Sequence, residues 1–543
     1  MNPVFTKAPR TALHHHVRFT PASWHSHSRL VRNTILQTIL VVAVSILAPT
    51  VAHAGSATWN LQPTSGDWNT AANWTPMTVP NGPADIATFG LSNTTDVSIS
   101  ANTEVNAITF TPTNSVYTVT VPDFLILTFS GAGIIGDAQF VTVDGIDGGG
   151  AEFLDRSSAG NATIEVGFGG EIIFADGSSA GGASLYNFTS SSTSFLGNST
   201  AGNATIIQMD GLAQLEFRGN STAGNADIGT GENTSFVSFG ETSSADNASI
   251  VGDAGVSFFG SSTAGSASIG VFNQSLVFAD SSTGGIAQIE LGSDPVFGGS
   301  GVLDISGHNA PGVTIGSIEG DANSFVFLAA NNLTVGSNDI TTTFSGVIED
   351  NGFSGSLTKI GKGTLDLKGA NTYTGQTNID GGVLQVDGSI SSNTFIKQKG
   401  ALAGAGTVSG NVTNYGGVVR PGDPSGVPGV LTVSNNYMQT PSAGLTIQIA
   451  GADPGQVSVL NVLGNANLNG SLDPELVDGF VPDVGQSFTI LGYASVTGSF
   501  SHIQNQVFDN GRKRWSLVYQ PTGAVLTVIR NGRNQDSRWL AGF

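Results

Sequence analysis

Four carboxylates invite a catalytic reading first. Asp155, Asp176, Glu241 and Asp280 each stand two residues after a phenylalanine in a glycine-rich stretch. Glycoside hydrolysis needs two carboxyl groups, one to protonate the leaving oxygen and one to attack or to activate water. At the same offset, however, stand Gly197, Gly219 and Gly260, so the acids form a broken ridge, and solvated acids at turns are the simpler reading because Asp favours turns. Asp144 and Asp147, followed by Gly148–Gly150, offer oxygen ligands to Ca²⁺. No cofactor is expected, with Ca²⁺ at these aspartates as the one exception to test, because the repeated Gly-Asp nonapeptide is missing. Trp59, Trp68 and Trp74 fall within 16 residues; they would either stack on sugar rings or cover the open apolar end of a repeat array. His308 and His502 are the only histidines beyond residue 54 and lie nearly 200 positions apart, which argues against a Ser-His-Asp triad or a histidine-rich metal site. With no cysteine in the chain, disulfides, thiolate metal sites and cysteine nucleophiles are excluded. No residue is assigned as catalytic, cofactor-binding or metal-ligating.

The composition narrows the partners. Nineteen basic residues stand against 40 acidic ones, a net charge of −21, and such a field repels a phosphate backbone, so no nucleic acid is expected. Between Gly55 and Gly355 the only Lys or Arg residues are Arg156 and Arg218, which leaves an anionic polysaccharide without a counter-charge. Glycine at 74 of 543 residues and only 11% charged residues disfavour a helical protein, while 39% hydrophobic content is too much for disorder. The first 32 residues hold five basic residues and no acid; Thr34 to Val51 is mostly apolar, and Ala52-His53-Ala54 follows. This is the pattern of a secretory signal cleaved after Ala54. Its removal leaves 14 basic against 40 acidic residues, net −26, and no stable membrane span.

The elements that must position any site come from a repeat. From Phe153 to Ile289 seven pairs recur nine residues apart: Phe153/Ala162, Phe174/Ala183, Phe195/Ala204, Phe217/Ala226, Phe239/Ala248, Phe258/Ala267 and Phe278/Ala287. The fourth residue after each Phe is serine, and an Ile or Leu stands two residues after each Ala. Successive phenylalanines are 19 to 22 residues apart. A period near 21, with two-residue alternation and glycine-rich corners, describes the coil of a β-solenoid. Stacking should put Phe on Phe and Ile on Ile at the strand spacing of about 4.8 Å, and should align Asn161, Asn203, Asn225 and Asn247 as a corner ladder.

Downstream, Leu357-Thr358-Lys359-Ile360-Gly361-Lys362-Gly363-Thr364-Leu365-Asp366-Leu367, Gly369-Ala370-Asn371-Thr372-Tyr373-Thr374-Gly375 and Gly381-Gly382-Val383-Leu384-Gln385-Val386 resemble the autotransporter-associated β-strand repeat. The resemblance implies an all-β, right-handed parallel β-helix of passenger type, exported across a bacterial envelope. Its Lys359, Lys362 and Lys368 match the repeat, whereas Arg512-Lys513-Arg514 reads as a basic turn. The family's C-terminal translocator barrel would need about a dozen strands, yet the last β-like run is Ala524 to Ile529 with 14 residues after it; passenger-like material without its own barrel is therefore expected. The resulting division is 1–54 signal peptide, 55–150 N-terminal cap and first coils, 151–292 the seven repeats, 293–340 further coils, 341–451 the autotransporter-associated repeat region and 452–543 a C-terminal passenger-like β region. The expected role is structural or adhesive, without catalysis, in the extracellular space, at the cell surface or in the periplasm, with cell-surface glycans or other cells as partners. The alternative is a glycan-active enzyme or glycan-binding module on the same β-helix.

Overall fold

The computed structural model describes residues 55–112, 115–136, 140–143, 148–209, 211–231, 235–293 and 298–532; the leader with its cleavage site, and Asp144 and Asp147, lie outside the described residues. One coil shows how the sequence folds. Glu171–Phe174 is a strand that turns Ile172 and Phe174 inward, both fully buried, and Glu171 and Ile173 outward. The chain turns where Ser178 N donates to Ala175 O, touches a second face through the single bridge residue Ser179, and turns again where Ala183 N donates to Ala180 O. Ser184–Asn187 then forms the third face. Alternation with period two sorts apolar from polar, and neighbouring coils pair in parallel register.

This register turns the sequence arithmetic into columns. Phe129, Phe153, Phe174, Phe195, Phe217, Phe239, Phe258 and Phe278 oppose one another in turn. Their rings stack with centroids 4.6 to 5.0 Å apart and planes within 13° of parallel. On the third face Ile164, Leu185, Ile206, Ile228, Ile250, Ile269 and Ile289 form the aliphatic column. The protein is an all-β parallel solenoid, as the periodicity predicts.

Each repeat bends at two left-handed residues, two and seven positions after its phenylalanine. The second is Gly160, Gly181, Gly202, Gly224, Gly265 or Gly285, with Asp246 in the fifth repeat. At Gly202, φ is +66° and a Cβ would stand 2.8 Å from Gly181 O, so both the backbone angle and the closeness of the coil below call for glycine.

The second face changes after the repeats. The register carries Phe278 onto Ile305 and then Leu328, which ends the aromatic column. The single bridge residue gives way to a four-residue strand, Gly312–Ile315, which starts a new parallel sheet running through Asn332–Val335 and Ser356–Lys359. Where earlier repeats have alanine six residues after Phe, the seventh has Gly284; a Cβ there would stand 2.5 Å from Thr314 O and Ile315 Cγ2. That substitution lets the new strand approach.

Both ends are closed by antiparallel strands. Ala57–Trp59 pairs with Trp74–Thr75 at one end, and at the other Ser487–Gly498 and Lys513–Gln520 both pair with Gly523–Arg530. Such closure covers the edges that a parallel stack would otherwise expose.

Candidate functional site

The three tryptophans are not a sugar platform. Trp59, Trp68 and Trp74 are at most 2% exposed and pack against Phe89 and one another at centroid distances of 5.0 to 5.8 Å. Their indole N–H groups donate to Thr94 O, Pro80 O and Trp68 O. This satisfies the polar tip of each ring in a buried setting and leaves no face for a ligand, so the stacking alternative is overturned in favour of the cap. Trp515 does the same at the far end, buried against Phe488 and Phe508.

The acid ridge has a backbone cause. Asp155, Asp176, Glu241 and Asp280 have φ of +55° to +59°, and the glycines that replace them in other repeats, Gly197, Gly219 and Gly260, have +66° to +69°. Asp tolerates this region better than most side chains and Gly tolerates it freely. Moreover, Asp176 Oδ2 accepts from Asp155 N at 3.4 Å, Glu241 Oε2 from Gly219 N at 3.2 Å and Asp280 Oδ2 from Gly260 N at 3.0 Å. Each of these carboxylates tethers the backbone of the preceding coil's corner. Asp176→Gly should therefore stay within about 1 kcal/mol of wild type, while Asp176→Val should lose about 2 kcal/mol by forcing a β-branched residue into the left-handed region. Thermal unfolding of the two variants checks this; equal losses would mean that the carboxylate, not the backbone angle, is what matters.

The asparagine ladder forms in part. Asn225 Nδ2 donates to Asn203 Oδ1 at 3.0 Å, Asn247 Nδ2 to Asn225 Oδ1 at 3.1 Å, and Ser266 Oγ extends the ladder to Asn247 Oδ1 at 2.5 Å. Asn161 stands apart because Gly182 occupies the intervening coil. A second ladder, Thr242 to Asn220 to Asn198, runs along the neighbouring corner.

The two histidines stand apart. His308 lies beside the start of the new second-face sheet and His502 in the terminal coil, in His502–Ile503. Among the described residues no group of three or more His, Asp or Glu is placed to hold a metal ion, and no helix is long and apolar enough to cross a membrane. Lys362 pairs with Asp339 at 3.7 Å and Lys368 with Asp366 at 3.5 Å. Arg512 ends a turn on Asp509, while Lys513 opens a strand and meets Asp509 and Asp483. Lys359 behaves differently. It occupies an inward column between Val335 and Ile379, is 1% exposed, and its Nζ donates to Ile360 O at 2.5 Å. Burial pushes its amine down to about 8, against a smaller opposing pull from Asp339. Sequence reading grouped Lys359 with Lys362 and Lys368 as residues matching the repeat; its place two residues after Leu357 on an alternating strand was the missed signal.

Lys359 lies in a stretch with known counterparts. Residues 357–386 match the Passenger-associated-transport-repeat family. The chain carries a passenger-associated transport repeat. It is also 48% identical over 77 residues to an extracellular serine protease of Serratia marcescens, covering 14% of this chain and 7% of that protein. It is 35% identical over 106 residues to the adhesin BmaC autotransporter of Brucella suis, covering 19% and 3%. Over 183 residues it is 30% identical to the autotransporter lipoprotein NalP of Neisseria meningitidis, covering 33% and 16%. The chain thus spans a small fraction of the length of the curated relatives it matches, all of which are extracellular or autotransporter proteins by name.

Proposed function

We propose that this chain is an exported passenger-type β-solenoid with a structural or adhesive role at the cell surface or in the extracellular medium. The observation that carries this reading is what the corners present. The apolar columns are internal, and the exposed corners carry neutral ladders of Asn, Ser and Thr with carboxylates tied to neighbouring coils. This is a repetitive hydrogen-bonding surface, and the carboxylates of Asp176, Glu241 and Asp280 on it are engaged with the backbone of the preceding coil. The transport repeat and the autotransporter relatives, an adhesin among them, support export and display.

Deletion of the gene, with complementation by the full chain, tests this in the native host. Deletion should lower adherence to surfaces or to other cells, and protease added to intact cells should remove the complemented protein. Unchanged adherence on deletion, or a protein that external protease cannot reach and that is absent from the medium, would refute the proposal.

A further inference from the structure

The step from bridge residue to strand on the second face leaves a cavity of about 370 Å³, at the lower end of the roughly 300–1,000 Å³ of small-ligand clefts. It is lined by Ser281, Thr283, His308, Asn309, Ala310 and Thr314 among others, with no acidic residue in the lining, although the chain carries 40 acids. The wall is pre-shaped. His308 Nδ1 and Nε2 lie 2.6 Å from Asn309 O and 2.7 Å from Ser282 O, which fixes the ring between two coils. Asn309 Nδ2 donates to Ser281 Oγ at 3.1 Å, and Asn331 Nδ2 holds His308 O from behind at 3.0 Å.

An extended peptide does not fit this place, although Gly312–Ile315 begins its sheet and has no strand partner on that side. Gly284 sits against Thr314 O and Ile315 Cγ2, which closes the strand edge after two residues and leaves a pocket in place of an open groove. An anionic ligand meets the acidic field of the whole chain. The remaining chemistry is that of a neutral ligand rich in hydroxyls: the Ser281 and Thr314 hydroxyls can both donate and accept, Thr283 Oγ1, whose proton goes to Thr263 Oγ1 at 2.9 Å, can accept, Asn309 supplies an amide, and Ala310 and Val313 offer apolar contact to ring carbons. We propose that this cavity is a binding site for one or two rings of a neutral saccharide. The proposal goes beyond the adhesive reading and does not depend on it, since the purified chain would bind the sugar wherever it is displayed.

The test uses the full exported chain with maltose, lactose and cellobiose as neutral probes and galacturonic acid as the anionic one, read by saturation-transfer NMR and calorimetry. At least one neutral disaccharide should bind. Filling the cavity from its exposed rim with Thr283→Arg and Thr314→Arg together should weaken that binding at least about tenfold without moving the thermal transition, while Asn161→Arg on a distant corner should leave it unchanged. Ser281→Ala, which keeps the backbone intact, should weaken it about fivefold, the equivalent of one hydrogen bond, and serves if the double variant does not fold. Failure of all three neutral sugars to bind, tighter binding of galacturonic acid, or binding indifferent to Ser281→Ala would overturn the assignment.

Discussion

Replacing Phe195 with alanine is expected to cost about 4 kcal/mol, the upper range for a buried aromatic. The ring is fully buried and lies between Phe174 at 4.7 Å and Phe217 at 4.8 Å, nearly parallel to both. Truncation removes two stacking contacts, each worth about 0.5–1.5 kcal/mol beyond area burial. It also leaves a cavity that cannot collapse, because main-chain pairing above and below fixes the coil spacing. Phe195→Leu should recover more than half of the loss. Phe236, which points outward two coils further along and is 50% exposed, supplies the control: Phe236→Ala should stay within about 0.5 kcal/mol. Because each coil contacts only its neighbours, hydrogen exchange in Phe195→Ala should accelerate around residues 174–239 and remain slow in the antiparallel cap at 513–530. Losses of similar size for Phe195→Ala and Phe236→Ala would refute the aromatic column as the source of stability.

What could be read from the sequence was whatever repeats. Phe, Ala, Ser and Ile at fixed offsets predict a coil because identical side chains must lie over one another when coils stack, and each column leaves its own trace in the alignment. The left-handed positions were visible too, but as chemistry: Asp155, Asp176, Glu241 and Asp280 drew attention as acids, whereas their shared property with Gly197 and Gly219 is a backbone angle, which no single residue type announces. The cavity beside His308 was beyond reach for a different reason. It arises where the repeat stops, from the meeting of Gly284 with a strand nearly 30 residues later, and a singular event has no periodicity to betray it. The tryptophan cap stood between two readings until burial of the rings decided it. In the transport repeat, the pattern identified the family but not the depth of Lys359.

That depth predicts an unusual pH dependence. Lys359 has an ordinary value of 10.5 in the unfolded chain and about 8 in the folded one. Between those values the unfolded chain holds the proton and the folded one does not, so stability rises with pH in this window. Below pH 8 both states are charged and the desolvation cost, about 3 kcal/mol for this shift, is present in full. Above pH 10 the rise is opposed, since burial pushes Tyr373 up to about 12 and raises Tyr437 as well; there the unfolded chain loses protons that the folded one retains, and stability falls. The clean interval is therefore pH 8 to 10, over which the transport-repeat coils should gain about 2–3 kcal/mol. Lys359→Met keeps an unbranched apolar stem between Val335 and Ile379 but leaves Ile360 O without its donor. Relative to wild type it should be at its best near pH 7.5 and should lose about 2–3 kcal/mol of that standing by pH 10. Guanidinium unfolding or hydrogen exchange of residues 333–386 at both pH values measures the difference. A gap between the two proteins that does not change with pH would show that Lys359 is no more desolvated folded than unfolded.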